Sequence, residues 1–298
     1  MEPVTVAVPR KGRPLEAVLD RLAGHPSAQR VVDEVTETLR HEKAVTKGQA
    51  DPEDGVYERL AAYSDPGDPY SPDYTLLRDD RAGKPRRVVF DSLTLDVADV
   101  PVRLVGREEP FRALRKHEFA LGFDSADLVL EEVVGLREEP LATIADLNAR
   151  IDPQDTDVRV VTGLGDTVYH TLMGKPAELG TDALDRTFLA QYEGPLCISP
   201  RYERLVEAVI GLDALEGVEF VYPEEGEEEE AAIADVGLGV YLTVTGSTAR
   251  EHGLELGERL FPSETVLMEN VSEVGDGEAL ERVRDAVAAG VDTELPVA

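Results

Sequence analysis

Gly239-Val240-Tyr241-Leu242-Thr243-Val244-Thr245-Gly246-Ser247-Thr248-Ala249-Arg250 reads as a buried strand that runs into a small polar loop and opens a helix. Residues 240–244 are apolar or β-branched, as suits a strand covered on both faces. Gly246 lets the backbone turn, and Ser247 or Thr248 is placed to cap the helix that follows. Backbone N–H groups at such a helix start carry partial positive charge, and neighbouring hydroxyls add donors. The loop is therefore a candidate phosphate cradle. The same pattern also fits an ordinary strand–helix turn with a Ser/Thr cap.

Working outward, the chain has 298 residues and 42% hydrophobic content, enough for about two domains with real cores. Its 61 acidic residues outnumber 30 basic ones, for a net charge of −31. No dense basic block occurs, which argues against general nucleic-acid binding. Acidity spread along the whole chain, with scarce lysine, points to a cytoplasmic protein adapted to high salt, whose compact state is destabilised by self-repulsion in low salt. A single cysteine, Cys197, rules out an intrachain disulfide and sits in an apolar stretch as a small core residue. The histidines His25, His41, His117, His170 and His252 show no paired metal spacing. No apolar run approaches the ~20 residues of a membrane span, so no membrane partner is expected.

Residues 4–8, Val-Thr-Val-Ala-Val, read as a first buried strand. Pro9, Arg10, Lys11, Gly12 and Arg13 follow. Leu15, Val18, Leu19 and Leu22 then share one face of a helix over residues 14–22. Lys11 and Arg13 thus stand at the mouth of a strand–loop–helix unit, where open α/β sheets bind ligands. A polar helix is expected over 27–40, an exposed loop over 65–74, and a strand at 86–90. Strands at 102–105 and 119–124 alternate with helices at 110–116 and 125–134, the latter carrying Asp127, Glu131 and Glu132. A second block offers strands at 158–161, 195–200, 218–222 and 264–268, and helices at 202–212 and 278–289. Residues 162–167, Thr-Gly-Leu-Gly-Asp-Thr, form a second, weaker glycine loop, and the acidic run 224–230 reads as a solvated loop or helix start.

Three segments, in order, resemble the ATP phosphoribosyltransferases that open histidine biosynthesis. Residues 6–13, Val-Ala-Val-Pro-Arg-Lys-Gly-Arg, resemble that family's strand followed by Pro-Lys-Gly-Arg, with Arg10 as one inserted residue. Residues 119–131 resemble its Ala-Asp-Leu-Gly-Ile-x-Gly-x-Asp-x-x-x-Glu segment, with Asp124, Asp127 and Glu131 in the matching stretch. Residues 245–254 resemble its Thr-Gly-x-Thr-Leu-Arg-x-Asn-Gly-Leu. The chain departs from the pattern at Tyr241, where the family has an aspartate four residues before the loop threonine. It departs again at Ala120, at Phe220, and in insertions over about 40–98 and 135–190.

The resemblance implies an α/β, two-lobed fold of the type II periplasmic-binding-protein kind, with mostly parallel sheets and flanking helices. Residues 1–135 and 240–298 would form a discontinuous first lobe carrying the phosphate loop, and 136–239 the second. It also implies a transferase that joins phosphoribosyl pyrophosphate to the adenine of ATP and releases pyrophosphate, with Mg2+ accompanying the pyrophosphate substrate. The implied substrate-binding residues are Lys11, Gly12, Arg13, Asp124, Asp127, Thr245, Gly246, Ser247 and Thr248. No nucleophile is required. ATP could be replaced by another nucleotide, and a homo-oligomer or a regulatory partner subunit is implied. Tyr241 keeps open the alternative of a ligand-binding or regulatory paralogue that has lost catalysis.

Overall fold

The structure is a computed structural model that describes residues 2–24, 26–77, 87–141, 146–166, 168–179, 183–224, 227–275 and 277–289. His25, Arg86, Thr167 and the Glu225-Gly226 step, all part of the sequence readings, lie outside these residues.

In chain order, β1 (Val4–Pro9), α1 (Gly12–Leu22), α2 (Pro26–Thr46), α3 (Val56–Tyr63), β2 (Asp73–Leu77), β3 (Arg87–Val97), β4 (Val100–Arg107), α4 (Pro110–Arg115) and β5 (Leu121–Ser125) come first. Next are α5 (Ala126–Glu132), α6 (Leu147–Arg150), β6 (Val158–Gly163), β7 (Val168–Gly174), α7 (Pro176–Leu179), α8 (Arg186–Leu189), β8 (Gly194–Ile198), α9 (Glu203–Ile210) and β9 (Val218–Val221). The chain closes with α10 (Glu229–Val236), β10 (Leu238–Thr243), α11 (Ser247–Glu251), β11 (Glu255–Ser263), β12 (Thr265–Asn270) and α12 (Glu278–Ala288).

These elements form two compact units. The first takes Met1–Asp124, Asp157–Asp166 and Thr265–Val291, and the second Ser125–Thr156 and Thr167–Glu264. Unit 1 is built on a seven-stranded sheet of order β2-β3-β4-β1-β5-β12-β6. Its centre is parallel, with Val6 opposite Leu104 on one side and Leu121 on the other. Its margins are antiparallel, through β2/β3, β3/β4 and β12/β6. The β3–β4 hairpin turns on Ala98 and Asp99, both at positive φ (50° and 61°), as a two-residue loop between twisted strands requires. Leu15, Val18, Leu19 and Leu22 of α1 are buried as their spacing predicts, in a core shared with Val32 and Val35 of α2 and Phe90 of β3.

Unit 2 is built on a five-stranded sheet of order β11-β7-β10-β8-β9. β10 runs parallel to β8, and β8 to β9, whereas β7 pairs antiparallel with both β10 and β11. Helix α10 lies on β8 and β10 through Ala232 and Ile233, and ends at Gly237 in the left-handed region. No described helix is long and apolar enough to cross a membrane.

The α/β class with flanking helices is as expected, but the sheets are mixed: unit 1 is parallel at its centre and antiparallel at its margins, whereas unit 2 is antiparallel from β11 to β10 and parallel from β10 to β9. The partition also differs from the expected one. The stretch 240–264 belongs with unit 2, because β10 takes its hydrogen bonds from β7 and β8. Conversely, β6 belongs with unit 1, because it pairs with β12. The insertion at 40–98 supplies the end of α2, α3 and the β2–β3 margin of the unit 1 sheet.

Candidate functional site

The candidate residues fall into two sets, one in each unit. In unit 1, β1 ends at Pro9 and the chain enters α1 through Arg10, Lys11 and Gly12, the last at φ +80°. Every cation of this loop faces a carboxylate. Lys11 Nζ stands 3.5 Å from Glu108. Arg13 Nη1 donates to the Asp166 carboxylate at 3.0 Å and also to the Asp166 carbonyl. Asp166 is itself fixed by the N–H and the hydroxyl of Thr265, each at 2.8 Å. The second glycine loop, expected as a weak anion cradle, therefore presents a carboxylate already engaged by Arg13 and Thr265.

Arg10, the inserted residue, has a structural task that the sequence did not announce. Its Nε donates to Gly106 O at 3.1 Å, and its carbonyl accepts the Phe90 N–H at 3.0 Å. Gly106 makes room for it, since a Cβ there would lie 2.9 Å from Arg10 Cγ. Asp124, also in unit 1, is 6% exposed, and its Oδ2 accepts the Phe111 N–H at 3.0 Å in the first turn of α4. It holds that helix start to the end of β5.

In unit 2, Ser125 caps α5 by accepting the Asp127 N–H. The Asp127 carboxylate is buried, accepts from Ser263 Oγ at 2.9 Å and lies 3.3 Å from His170 Nε2. Burial pushes this carboxyl up, but the nearby His170 imidazole, the Ser263 hydroxyl and the charge of Arg201 outweigh it and hold Asp127 below the usual range. One turn on, Glu131 accepts the Leu205 N–H at 3.0 Å. Burial above all, with the Asp127 charge adding to it, pushes Glu131 up to about 7. The Cys197 thiol is buried and pushed up to about 11 by that burial, so it is an inert core residue.

The opening loop follows β10. Leu238, Gly239 and Val240 are buried, but Tyr241, Leu242 and Thr243 are only half-covered, and Val244 is 77% exposed. The strand is thus covered on both faces only in its first half. Gly246, at φ +68°, is the N-cap of α11, and no side chain caps this helix. The expected Ser/Thr cap is not formed. Instead Thr245 Oγ1 and Ser247 Oγ lie 3.1 Å apart and bond to each other. A Cβ on Gly246 would meet Leu256 Cδ1 at 2.3 Å, so both backbone angle and space favour glycine here. The loop opens on a cleft of about 220 Å³ whose polar lining is Thr243, Thr245, Ser247, Thr248 and Glu230. The four hydroxyls and the backbone amides of a short turn are neutral donors that suit a phosphate ester, and Glu230 adds one carboxylate to the lining.

Tyr241, the departure noted in the sequence, points its ring into the small cluster that includes Ile233 of α10. Its hydroxyl is pushed up to about 12, first by burial and then by Glu229 and Glu230. Among the described residues no group of three or more His, Cys, Asp or Glu converges to hold a metal ion.

No curated protein sequence matches the chain. Among solved structures it is similar to the ATP phosphoribosyl transferase (HisG:HisZ) complex from Thermotoga maritima, at 15% identity over 95% of this chain and 97% of that one, with a TM-score of 0.40. It is similar to YhfZ from Shigella flexneri at 12% identity over 98% and 86%, with a TM-score of 0.44. The effector binding domain of QuiR in complex with shikimate is similar at 9% identity over 96% and 95%, with a TM-score of 0.36. The match that decides is at the level of sequence: the family model described as halobacterial ATP phosphoribosyltransferase spans residues 1–297, and the chain belongs to that family.

Proposed function

We propose that the chain catalyses the transfer its family is named for, with residues 245–248 holding the 5-phosphate of phosphoribosyl pyrophosphate and Lys11 and Arg13 meeting the pyrophosphate. In this reaction N1 of the ATP adenine attacks the ribose C1, the bond from C1 to the pyrophosphate oxygen breaks, and pyrophosphate leaves with that electron pair. The observation that carries the site assignment is the Gly246 turn, whose hydroxyls and amides line one small cleft. Donors aimed at fixed phosphate oxygens need no covalent chemistry from the protein, only position and charge.

The departing pyrophosphate gathers negative charge. Lys11 and Arg13 are the cations proposed to meet it, each paired with a carboxylate, Glu108 and Asp166. Mg2+ belongs to the substrate in this reading. The described residues offer it no cage, and this ion is commonly held by phosphate oxygens and water with few protein ligands. A cytoplasmic location is part of the same proposal. A homo-oligomer or a complex with a regulatory subunit is expected of the family, and light scattering in molar salt separates the two.

The test is pyrophosphate release from ATP and phosphoribosyl pyrophosphate with magnesium in molar KCl. Turnover is expected, and Thr245→Val with Ser247→Ala should weaken phosphoribosyl pyrophosphate binding at least tenfold in calorimetry. Binding without turnover would assign the chain to a ligand-binding paralogue. Binding undiminished by the loop changes would move the phosphate site elsewhere.

A further inference from the structure

The ribosyl substrate presents two different recognition problems. Its phosphate needs donors, and its vicinal hydroxyls need an acceptor. Residues 245–248 answer only the first. The second is well met by a carboxylate, which accepts from both hydroxyls of a ribose edge in charge-assisted hydrogen bonds. Strand β10 does not provide one: Tyr241 stands beside Glu229 and Glu230 of α10 and packs on the cluster that includes Ile233.

The position of α10 is fixed unusually tightly. A Cβ on Gly239 would meet Ile233 Cγ1 at 2.5 Å and the Cys197 carbonyl oxygen at 2.5 Å, so helix and strand approach as closely as a glycine allows. Residues 239, 241 and 243 alternate onto one face of β10. Along that face come Gly239 against the helix body, then Tyr241 beside Glu229 and Glu230, then Thr243 in the lining of the cleft. The first turn of α10 is therefore carried to the edge of the phosphate loop. A carboxylate in a first turn also offsets the helix dipole, and Glu229 and Glu230 share that role. What separates them is that Glu230 lines the same cleft as Thr245, Ser247 and Thr248.

We propose that Glu230 is the acceptor for the ribose hydroxyls, a specificity-determining residue delivered by α10 in place of a carboxylate on β10. The assignment rests on the reading of residues 245–248 as the ribose-phosphate loop. Glu230 acts by hydrogen bonding in its ionised form and takes no part in bond making.

The experiment is calorimetric titration of the intact chain in molar KCl with three probes: inorganic phosphate, ribose 5-phosphate and 2-deoxyribose 5-phosphate. The wild type should prefer ribose 5-phosphate over its deoxy form by at least about tenfold, as a lost hydrogen bond to a charged group implies. Glu230→Gln should cut that ratio several-fold and Glu230→Ala should bring it near one, with inorganic phosphate affinity kept within about twofold. A merely structural Glu230 would move all three affinities together and leave the ratio alone. An unchanged ratio in both variants, with phosphate binding intact, overturns the role of Glu230 while the loop assignment stands. Failure of all three probes to bind the wild type overturns the loop assignment itself, and this inference with it.

Discussion

Replacing Gly246 by alanine tests the geometry on which the proposed phosphate loop depends, because two separate costs meet at that residue. Its φ of +68° lies in the left-handed region, where an L side chain costs about 1–2 kcal/mol. The new Cβ would also lie 2.3 Å from Leu256 Cδ1. Leu256 is half-buried and its end can rotate, so this collision costs about 1 kcal/mol in rotamer strain rather than a backbone shift. The sum is about 2–3 kcal/mol. Gly253 supplies the control. Its φ is +72°, but a Cβ there meets nothing within 4 Å. Gly253→Ala should therefore cost only the backbone term, lessened by the reduced freedom of the unfolded chain, or about 1 kcal/mol. Gly239 supplies the opposite control, with no positive φ but with the Cys197 carbonyl oxygen 2.5 Å from the added Cβ. Gly239→Ala should cost about 3 kcal/mol, as overpacking against a central strand does. Thermal unfolding in molar KCl, followed by circular dichroism, should rank the midpoints Gly239→Ala, Gly246→Ala, Gly253→Ala from lowest to highest. The spacing is roughly 2–4 °C per kcal/mol. Leu256→Ala should recover about 1 kcal/mol of the Gly246→Ala loss in a double-mutant cycle. If Gly246→Ala and Gly253→Ala leave the midpoint where it was, the left-handed turn is wrong. If they fall equally, the Leu256 contact is wrong.

Glu42 is 1% exposed and receives Arg59 Nε at 2.7 Å and Nη2 at 3.0 Å, so Glu42→Ala leaves a buried guanidinium unpaired. It should cost about 3–5 kcal/mol in a denaturant titration, most of it recovered if Arg59→Leu is added. Asp166→Ala removes the bonds from Arg13, the Thr265 N–H and the Thr265 hydroxyl together. A loss of about 2–3 kcal/mol is expected, and a midpoint equal to wild type would show that this cluster does not hold the loop. Glu131 rises from its ordinary 4.5 to about 7 in the folded chain, so between those values the folded state binds more protons than the unfolded one. Its contribution to stability is present at low pH and lost as pH rises through that window. Glu131→Gln should therefore become more stable relative to wild type between pH 4.5 and 7, and a constant difference across the window would refute the assignment.

The local periodicities of this chain were legible, and its long-range pairings were not. Leu15, Val18, Leu19 and Leu22 mark one face of α1, and that face is buried. β10 was visible as an apolar run, although its second half is half-exposed. Strand β7 escaped notice because His170 and Thr171 interrupt its apolar pattern, and both are buried polar residues. Strand β11 escaped because its register shifts twice, between Leu256 and Arg259 and between Arg259 and Phe261. The partition into units has no local signature at all. Only Glu264 separates β11 from β12, yet the two strands enter different sheets. The site divides in the same way. Gly246 and its hydroxyl neighbours are contiguous and could be read directly. Asp166, the partner of Arg13, is 153 residues away, and Asp124 is drawn to the start of α4 across 13 residues.

The net charge of −31 constrains how the proposed site would capture the two polyanionic substrates proposed for it. Summed over the surface, the field of this chain repels them, and in dilute salt that repulsion acts over about 10–30 Å. Near 1 M salt the screening length shrinks to about 3 Å, so both the repulsion and any long-range attraction vanish. Lys11 and Arg13 could not have steered a substrate from a distance in any case, because Glu108 and Asp166 stand 3.5 and 3.0 Å from them. In the proposed site they would act only on a phosphate already in contact. Recognition must then begin with groups whose strength does not depend on net charge: oriented N–H and O–H dipoles at hydrogen-bond range. A turn built of Thr245, Gly246, Ser247 and Thr248 consists of little else. In concentrated salt an acidic chain would gain more from such a turn of neutral donors than from added lysines, whose fields the solvent would erase.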